Sequence, residues 1–129
     1  LTEIYLNPTK QKNMNVLVID DEKEIREMVS KTLEKAGYNV TASDNMADAQ
    51  KLIKSQQWNL VISDIMVPHL GGFELADFIK ENSNTPVILM TGMDKEVLEA
   101  TRSSADFILT KPFTSKELIE AIRKEITQA

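Results

Sequence analysis

The chain has 129 residues, no cysteine, one histidine and a formal charge of −5. That length fits one domain with its own core. The composition excludes a disulfide framework, a thiolate metal site and a multi-histidine zinc or iron centre within the chain. Acidic and basic residues are mixed with no basic run, so this segment is not expected to bind nucleic acid directly. Its apolar runs fall far short of the roughly 20 residues a membrane helix needs, and its start lacks a signal-peptide layout. A soluble, cytoplasmic segment is expected.

Leu1 to Asn13 reads as an N-terminal extension or linker, with Ile4-Tyr5-Leu6 before Asn7-Pro8 resembling the end of an upstream element. The domain proper is expected over 14–129. Val16-Leu17-Val18-Ile19 is a near-continuous run rich in β-branched residues, the pattern of a strand covered on both faces. Ile25, Met28, Val29, Thr32, Leu33 and Ala36 then follow helical spacing, and Gly37 stands where a helix C-terminal glycine belongs. Tyr38 to Ala42 is a weaker, alternating run, which predicts an edge strand. Met46, Ala49, Leu52 and Ile53 mark a second helix, Leu60-Val61-Ile62 a third strand, and Phe73, Leu75, Ala76, Phe78 and Ile79 a third helix. Val87 to Met90 is the fourth strand. Val97, Leu98 and Ala100 suggest only a short, frayed fourth helix. Phe107-Ile108-Leu109 is the fifth strand. Leu118, Ile119, Ile122 and Ile126 give the fifth helix, entered through Thr114 and Glu117 at capping-box spacing.

A β-α unit repeated five times implies an α/β fold: a five-stranded parallel sheet with helices on both faces and right-handed crossovers. In such sheets ligands bind beyond the C-terminal strand ends, where the strand order reverses. Asp20-Asp21-Glu22, Asp64, Thr91-Gly92 and Lys111-Pro112 occupy those positions. Carboxylate oxygens without imidazole or thiolate suit Mg²⁺. Each feature also has a purely structural reading. Asp21 with Glu24 has capping-box spacing, and Asp64 could open a turn before Pro68. The structural readings would have to hold together, at the same end of successive strands. Adjacent acids such as Asp20 and Asp21 also repel unless a cation or donor offsets them. His69 is read as a solvated loop residue, Gly71-Gly72 as turn residues and Trp58 as a packing residue.

The segments VLVIDDE, ISDIMVPHLGG, VILMTG and LTKPF, in this order and each at a predicted strand end, resemble the receiver domain of two-component response regulators. The resemblance extends from Met14 to Ile126 and includes the D-x-x-x-P-x-x-x-G spacing of Asp64, Pro68 and Gly72. It implies a flavodoxin-like (βα)5 fold of strand order 2-1-3-4-5. By resemblance Asp64 accepts a phosphoryl group. Mg²⁺ is held by Asp21 directly, by Asp20 through water, by Asp64 and by the main-chain carbonyl of Met66. Thr91 donates to a phosphoryl oxygen, and Lys111 pairs with the acceptor carboxylate or the phosphoryl group. The implied partners are a histidine kinase or histidine phosphotransfer protein, and an output domain or partner protein outside this chain. A monomer or weak homodimer is expected.

Two departures stand out. The family's switch aromatic lies three residues before the lysine, and here that residue is Ile108, with Phe107 expected on the opposite face. The segment between Thr91 and Lys111 is also slightly short, which puts the usual dimer mode in doubt. The rival readings are a Mg²⁺-dependent phosphohydrolase with an aspartyl nucleophile and a degenerate receiver-fold interaction module. Met66 stands where such hydrolases carry a second aspartate, and Asp21, Asp64, Thr91 and Lys111, of which a degenerate module would lack at least one, are all present.

Overall fold

In the computed structural model, which describes residues 14–65, 72–92 and 105–128, every expected apolar run is a strand. These are β1 (Asn15–Ile19), β2 (Asn39–Ser43), β3 (Leu60–Asp64), β4 (Val87–Thr91) and β5 (Phe107–Thr110). They form one parallel sheet in the order β2-β1-β3-β4-β5. The described helices are α1 (Lys23–Lys35), α2 (Met46–Ser55), α3 (Gly72–Asn82) and α4 (Ser115–Gln128). The extension Leu1–Asn13 and the short helix expected at Val97–Ala100 lie outside the described residues.

Strand alternation sorts the core into two layers. Val16, Val18, Leu60, Ile62, Ile88, Met90 and Leu109 pack with Val29 and Leu33 of α1 and Leu118 and Ile122 of α4. Leu17, Ile19, Val61, Val87 and Leu89 pack with Met46 and Ala49 of α2 and with Leu75, Ala76 and Ile79 of α3. Both faces of the central strands are covered, which is why those strands read as continuous apolar runs. Trp58 is buried in the second layer, as expected of a packing residue, and its Nε1–H donates to the Leu52 carbonyl at 2.9 Å.

Helix ends follow local chemistry. Gly37 has φ 98°, a conformation that costs any residue with a Cβ. It ends α1 in a Schellman motif: Gly37 N–H donates to Glu34 O at 3.0 Å and Tyr38 N–H to Leu33 O at 3.1 Å. At α4 the capping box is formed, with Glu117 N–H donating to Thr114 Oγ1 at 3.1 Å and Thr114 N–H to Glu117 Oε1 at 2.9 Å. At the opposite end of the sheet from the carboxylates, Asp106 joins β5 to β4. Its N–H donates to Val87 O at 2.8 Å, and its Oδ2 accepts from Val87 N–H at 2.7 Å and pairs with Lys80 Nζ at 2.6 Å.

The register positions the site. Ile19 pairs with Ser63, so Asp20 and Asp64 follow at the same level on neighbouring strands. Asp64 pairs with Met90, and Thr91 pairs with Thr110. Lys111 therefore leaves β5 one step beyond Thr91. Because β1 sends one crossover to β2 and the chain returns to β3 on its other side, the order reverses between β1 and β3, beside Asp20 and Asp64.

Replacing Gly37 by alanine is expected to destabilise the domain by about 1–2 kcal/mol, because the alanine must hold a left-handed backbone. Urea denaturation of the two proteins measures this.

Candidate functional site

Asp20 lies just past β1 and is fully buried, a position a carboxylate takes only when its polar atoms are engaged. Here all are. Its N–H donates to Ser43 O at 3.1 Å, its carbonyl accepts from Arg26 Nη1 at 2.9 Å, and its Oδ1 accepts from Glu22 N–H at 2.9 Å. Lys111 Nζ stands 3.3 Å from its Oδ2.

Asp64 ends β3 and is buried. Its Oδ2 is 3.4 Å from the same Lys111 ammonium, so one cation bridges the two acids. The exposed Glu22 side chain is a more distant partner at 4.0 Å. Thr91, buried at the end of β4, is tied to this lysine through the backbone, since Lys111 N–H donates to Thr91 O at 2.6 Å. The Lys111–Pro112 peptide is cis. Gly92 is exposed, and an added Cβ there would meet nothing within 4 Å, so the space beside Thr91 is open.

The capping reading of Asp21 does not hold. The residue preceding α1 is Glu22, in extended backbone, and no side chain caps the helix. The exposed Asp21 carboxylate belongs instead to a group with Asp20 and Asp64, whose oxygens lie within 4.8 Å of one another. Among the described residues no cation pairs with Asp21. An all-oxygen set with a bare carboxylate at the solvent edge fits a hard divalent cation, which keeps several waters. Met66 lies outside the described residues, as do Pro68, His69 and Gly71.

The electrostatics follow from burial. Burial raises the Asp20 carboxyl above the ordinary carboxylate range, against the opposing pull of the Glu22 N–H and of Lys111. Burial lowers the Lys111 ammonium, but Asp20 and Asp64 together outweigh it and leave its pKa raised. Arg26 and Ser43 were not marked by the sequence as site residues: the Arg26 guanidinium donates to the Asp20 carbonyl and Ser43 accepts through its own, and no residue pattern records a backbone carbonyl.

A model of the response regulator receiver domain matches residues 16–123. The chain belongs to that family. Among curated relatives of this receiver domain, Protein PetR of Rhodobacter capsulatus is 34% identical over 120 residues, covering 89% of this chain and 51% of that protein. Transcriptional regulatory protein YvrH of Bacillus subtilis is 33% identical over 117 residues, covering 88% of this chain and 49% of that protein. The chain thus spans about half the length of the curated relatives it matches. Among solved structures, chemotaxis response regulator CheY4 of Vibrio cholerae superposes with a TM-score of 0.80 at 29% identity, covering 87% of this chain and 98% of that one. The receiver domain of Francisella response regulator 1452 gives 0.82 at 34% identity, covering 90% and 98%.

Two outcomes follow from the charge balance. A carboxyl whose pKa is raised on folding contributes stability that is complete below its ordinary value and lost as pH rises through the raised one. Asp20→Asn should therefore raise the unfolding temperature of the metal-free domain at pH 7, with the gain shrinking toward zero below pH of about 4. Calorimetry in chelator across that range tests the sign. Lys111 has the opposite role at neutral pH: its raised pKa means its contribution is present there and fades only above its ordinary range, roughly pH 10.4. Lys111→Met should cost the metal-free domain about 2–4 kcal/mol by leaving two buried acids without their cation, and saturating Mg²⁺ should restore part of it in urea denaturation.

Proposed function

We propose that this receiver domain is a phosphorelay switch in which Asp64 accepts a phosphoryl group from a histidine kinase or histidine phosphotransfer protein. The observation that carries the proposal is the single Lys111 ammonium lying between Asp64 and Asp20, with Asp21 completing an oxygen cluster beside them.

In the transfer, an Asp64 oxygen forms a bond to phosphorus as the phosphorus–nitrogen bond of the donor phosphohistidine breaks. The bonding pair leaves with the imidazole nitrogen, which takes a proton from water. Asp64 is suited to attack because the end of β3 fixes its position, with Lys111 Nζ 3.4 Å from its Oδ2. The obstacle is charge, since an anion must approach an anionic group. Lys111 offsets this from one side, and positioning and electrostatics then do most of the work. Asp20, Asp21 and Asp64, with the Met66 carbonyl by family resemblance, would hold Mg²⁺, which supplies charge neutralisation on the phosphoryl oxygens. Thr91 then donates its hydroxyl to one of those oxygens.

The signal passes from Thr91 to β5. Ile108 is half-buried on the α2–α3 face beside Leu89, whereas Phe107 is 38% exposed. An aliphatic side chain in this position favours a switch that moves by backbone displacement and repacking rather than by an aromatic rotamer swing. Receiver domains of response regulators are signalling switches rather than classical enzymes, and Met66 in place of a second aspartate argues against a hydrolase. The output is assigned to a domain or partner beyond this chain.

Incubating the domain with Mg²⁺ and a small-molecule phosphodonor should give one phosphoryl adduct by intact mass. Asp64→Asn, or chelation of Mg²⁺, should abolish it. A domain that takes up no phosphoryl group from any donor would overturn the reading in favour of an interaction module, and rapid multiple turnover would favour the hydrolase. Thr91→Ala should still be phosphorylated but should lose most of the adduct-dependent change in amide exchange along β4 and β5.

A further inference from the structure

We infer that Arg26 is a positioning residue for the metal-binding turn, fixing the peptide from which Asp21 projects. The inference rests on the reading that Asp20, Asp21 and Asp64 hold Mg²⁺.

Arg26 lies on the first turn of α1, half-buried and beside the site rather than in it. It holds the turn at two points. Its backbone N–H donates to Glu22 O at 3.0 Å, and its guanidinium Nη1 donates to Asp20 O at 2.9 Å. Asp21 lies between those two carbonyls. The Asp20 carbonyl belongs to the peptide unit that joins Asp20 to Asp21, and that unit is planar. Holding its oxygen therefore sets the direction in which the chain enters Asp21, and with it the origin of the Asp21 side chain. The peptide leaving Asp21 is held by Glu22 N–H on Asp20 Oδ1 at 2.9 Å, so the Arg26 guanidinium fixes the entering side, and the Asp21 carboxylate itself is exposed.

The arrangement has a further consequence for charge. Asp20 is held through its N–H, its two carboxylate oxygens and its carbonyl, and only the last of these contacts reaches it from α1. Removing the guanidinium leaves Asp20 in its strand-end position through Ser43, Glu22 and Lys111, while releasing the peptide that aims Asp21. A positioning role therefore predicts weaker metal binding in a domain that still folds and whose phosphoryl-accepting Asp64 is untouched.

The test compares wild type with Arg26→Met, which keeps an apolar stem without a donor, and Arg26→Lys, which keeps a cationic donor. Metal affinity is read directly from Mn²⁺ binding by water proton relaxation and from Mg²⁺ competition, without phosphorylation. Arg26→Met should bind about 10-fold more weakly, in the range typical for partners that orient metal ligands, and Arg26→Lys should recover most of that loss. The Asp21 amide of Arg26→Met should exchange faster, with Glu22 and β3 unchanged. Its phosphorylation rate at saturating Mg²⁺ should return to within about twofold of wild type, so the defect sits in the half-saturating concentration. Affinity equal to wild type, unchanged exchange, or a rate that saturating Mg²⁺ does not recover would each overturn the inference. If Arg26→Met does not fold, Arg26→Gln takes its place in the same comparison. A wild-type domain that binds neither metal overturns the functional reading itself, and this inference with it.

Discussion

The site depends on an unfavourable proximity. Parallel strands of matched register deliver Asp20 and Asp64 to the same edge at the same level, and the β1–α1 turn adds Asp21. Like charges gathered this way destabilise a fold unless a cation stands among them. Lys111, reaching in from β5 across the end of β4, is that cation for the buried pair. The fold therefore carries a built-in shortage of positive charge, and the shortage is greatest at the exposed Asp21. Carboxylate oxygens left without a counter-charge at such an edge suit a small hard cation.

Much of this was legible in the residues. The β-branched runs, Gly37 and the Thr114–Glu117 pair each encode a local preference that packing then reinforces, and the observed strand order agrees with the flavodoxin-like expectation. The position of Asp64, Thr91 and Lys111 was legible for a simpler reason: once the strands are known, their ends are known. Asp21 shows where local reading loses its force. Asp21 and Glu24 have the same spacing as Thr114 and Glu117, yet one pair caps a helix and the other does not. The difference is where the helix begins: Thr114 directly precedes α4, whereas α1 starts one residue later than the spacing requires, with Glu22 preceding it and Asp21 grouped with two further carboxylates. Arg26 was not legible for a related reason. An arginine next to the apolar stripe of a helix has many solvent-facing uses, and its partner here is a carbonyl oxygen, which every residue possesses.

The two apolar layers differ in what they support. The layer under α1 and α4 runs from Val16 across to Leu109 and includes partly buried Phe113, just past Lys111. The layer under α2 and α3 ends at half-buried Ile108 and Ala105. Lys111 thus emerges from a strand whose Leu109 is buried and whose Ile108, on the other face, is less covered. Close-packed interiors transmit displacement poorly where gaps exist and well where they do not.

Asp106 ties down the opposite rim. By clamping the start of β5 to Val87 with two hydrogen bonds and to Lys80 with an ion pair, it fixes one end of a four-residue strand whose other end leads directly into Lys111. The other end is held too, because Thr110 pairs with Thr91 and Lys111 N–H donates to Thr91 O at 2.6 Å. A short strand fastened at both rims couples them: β5 shifts together with β4, or the bonds at one rim must open.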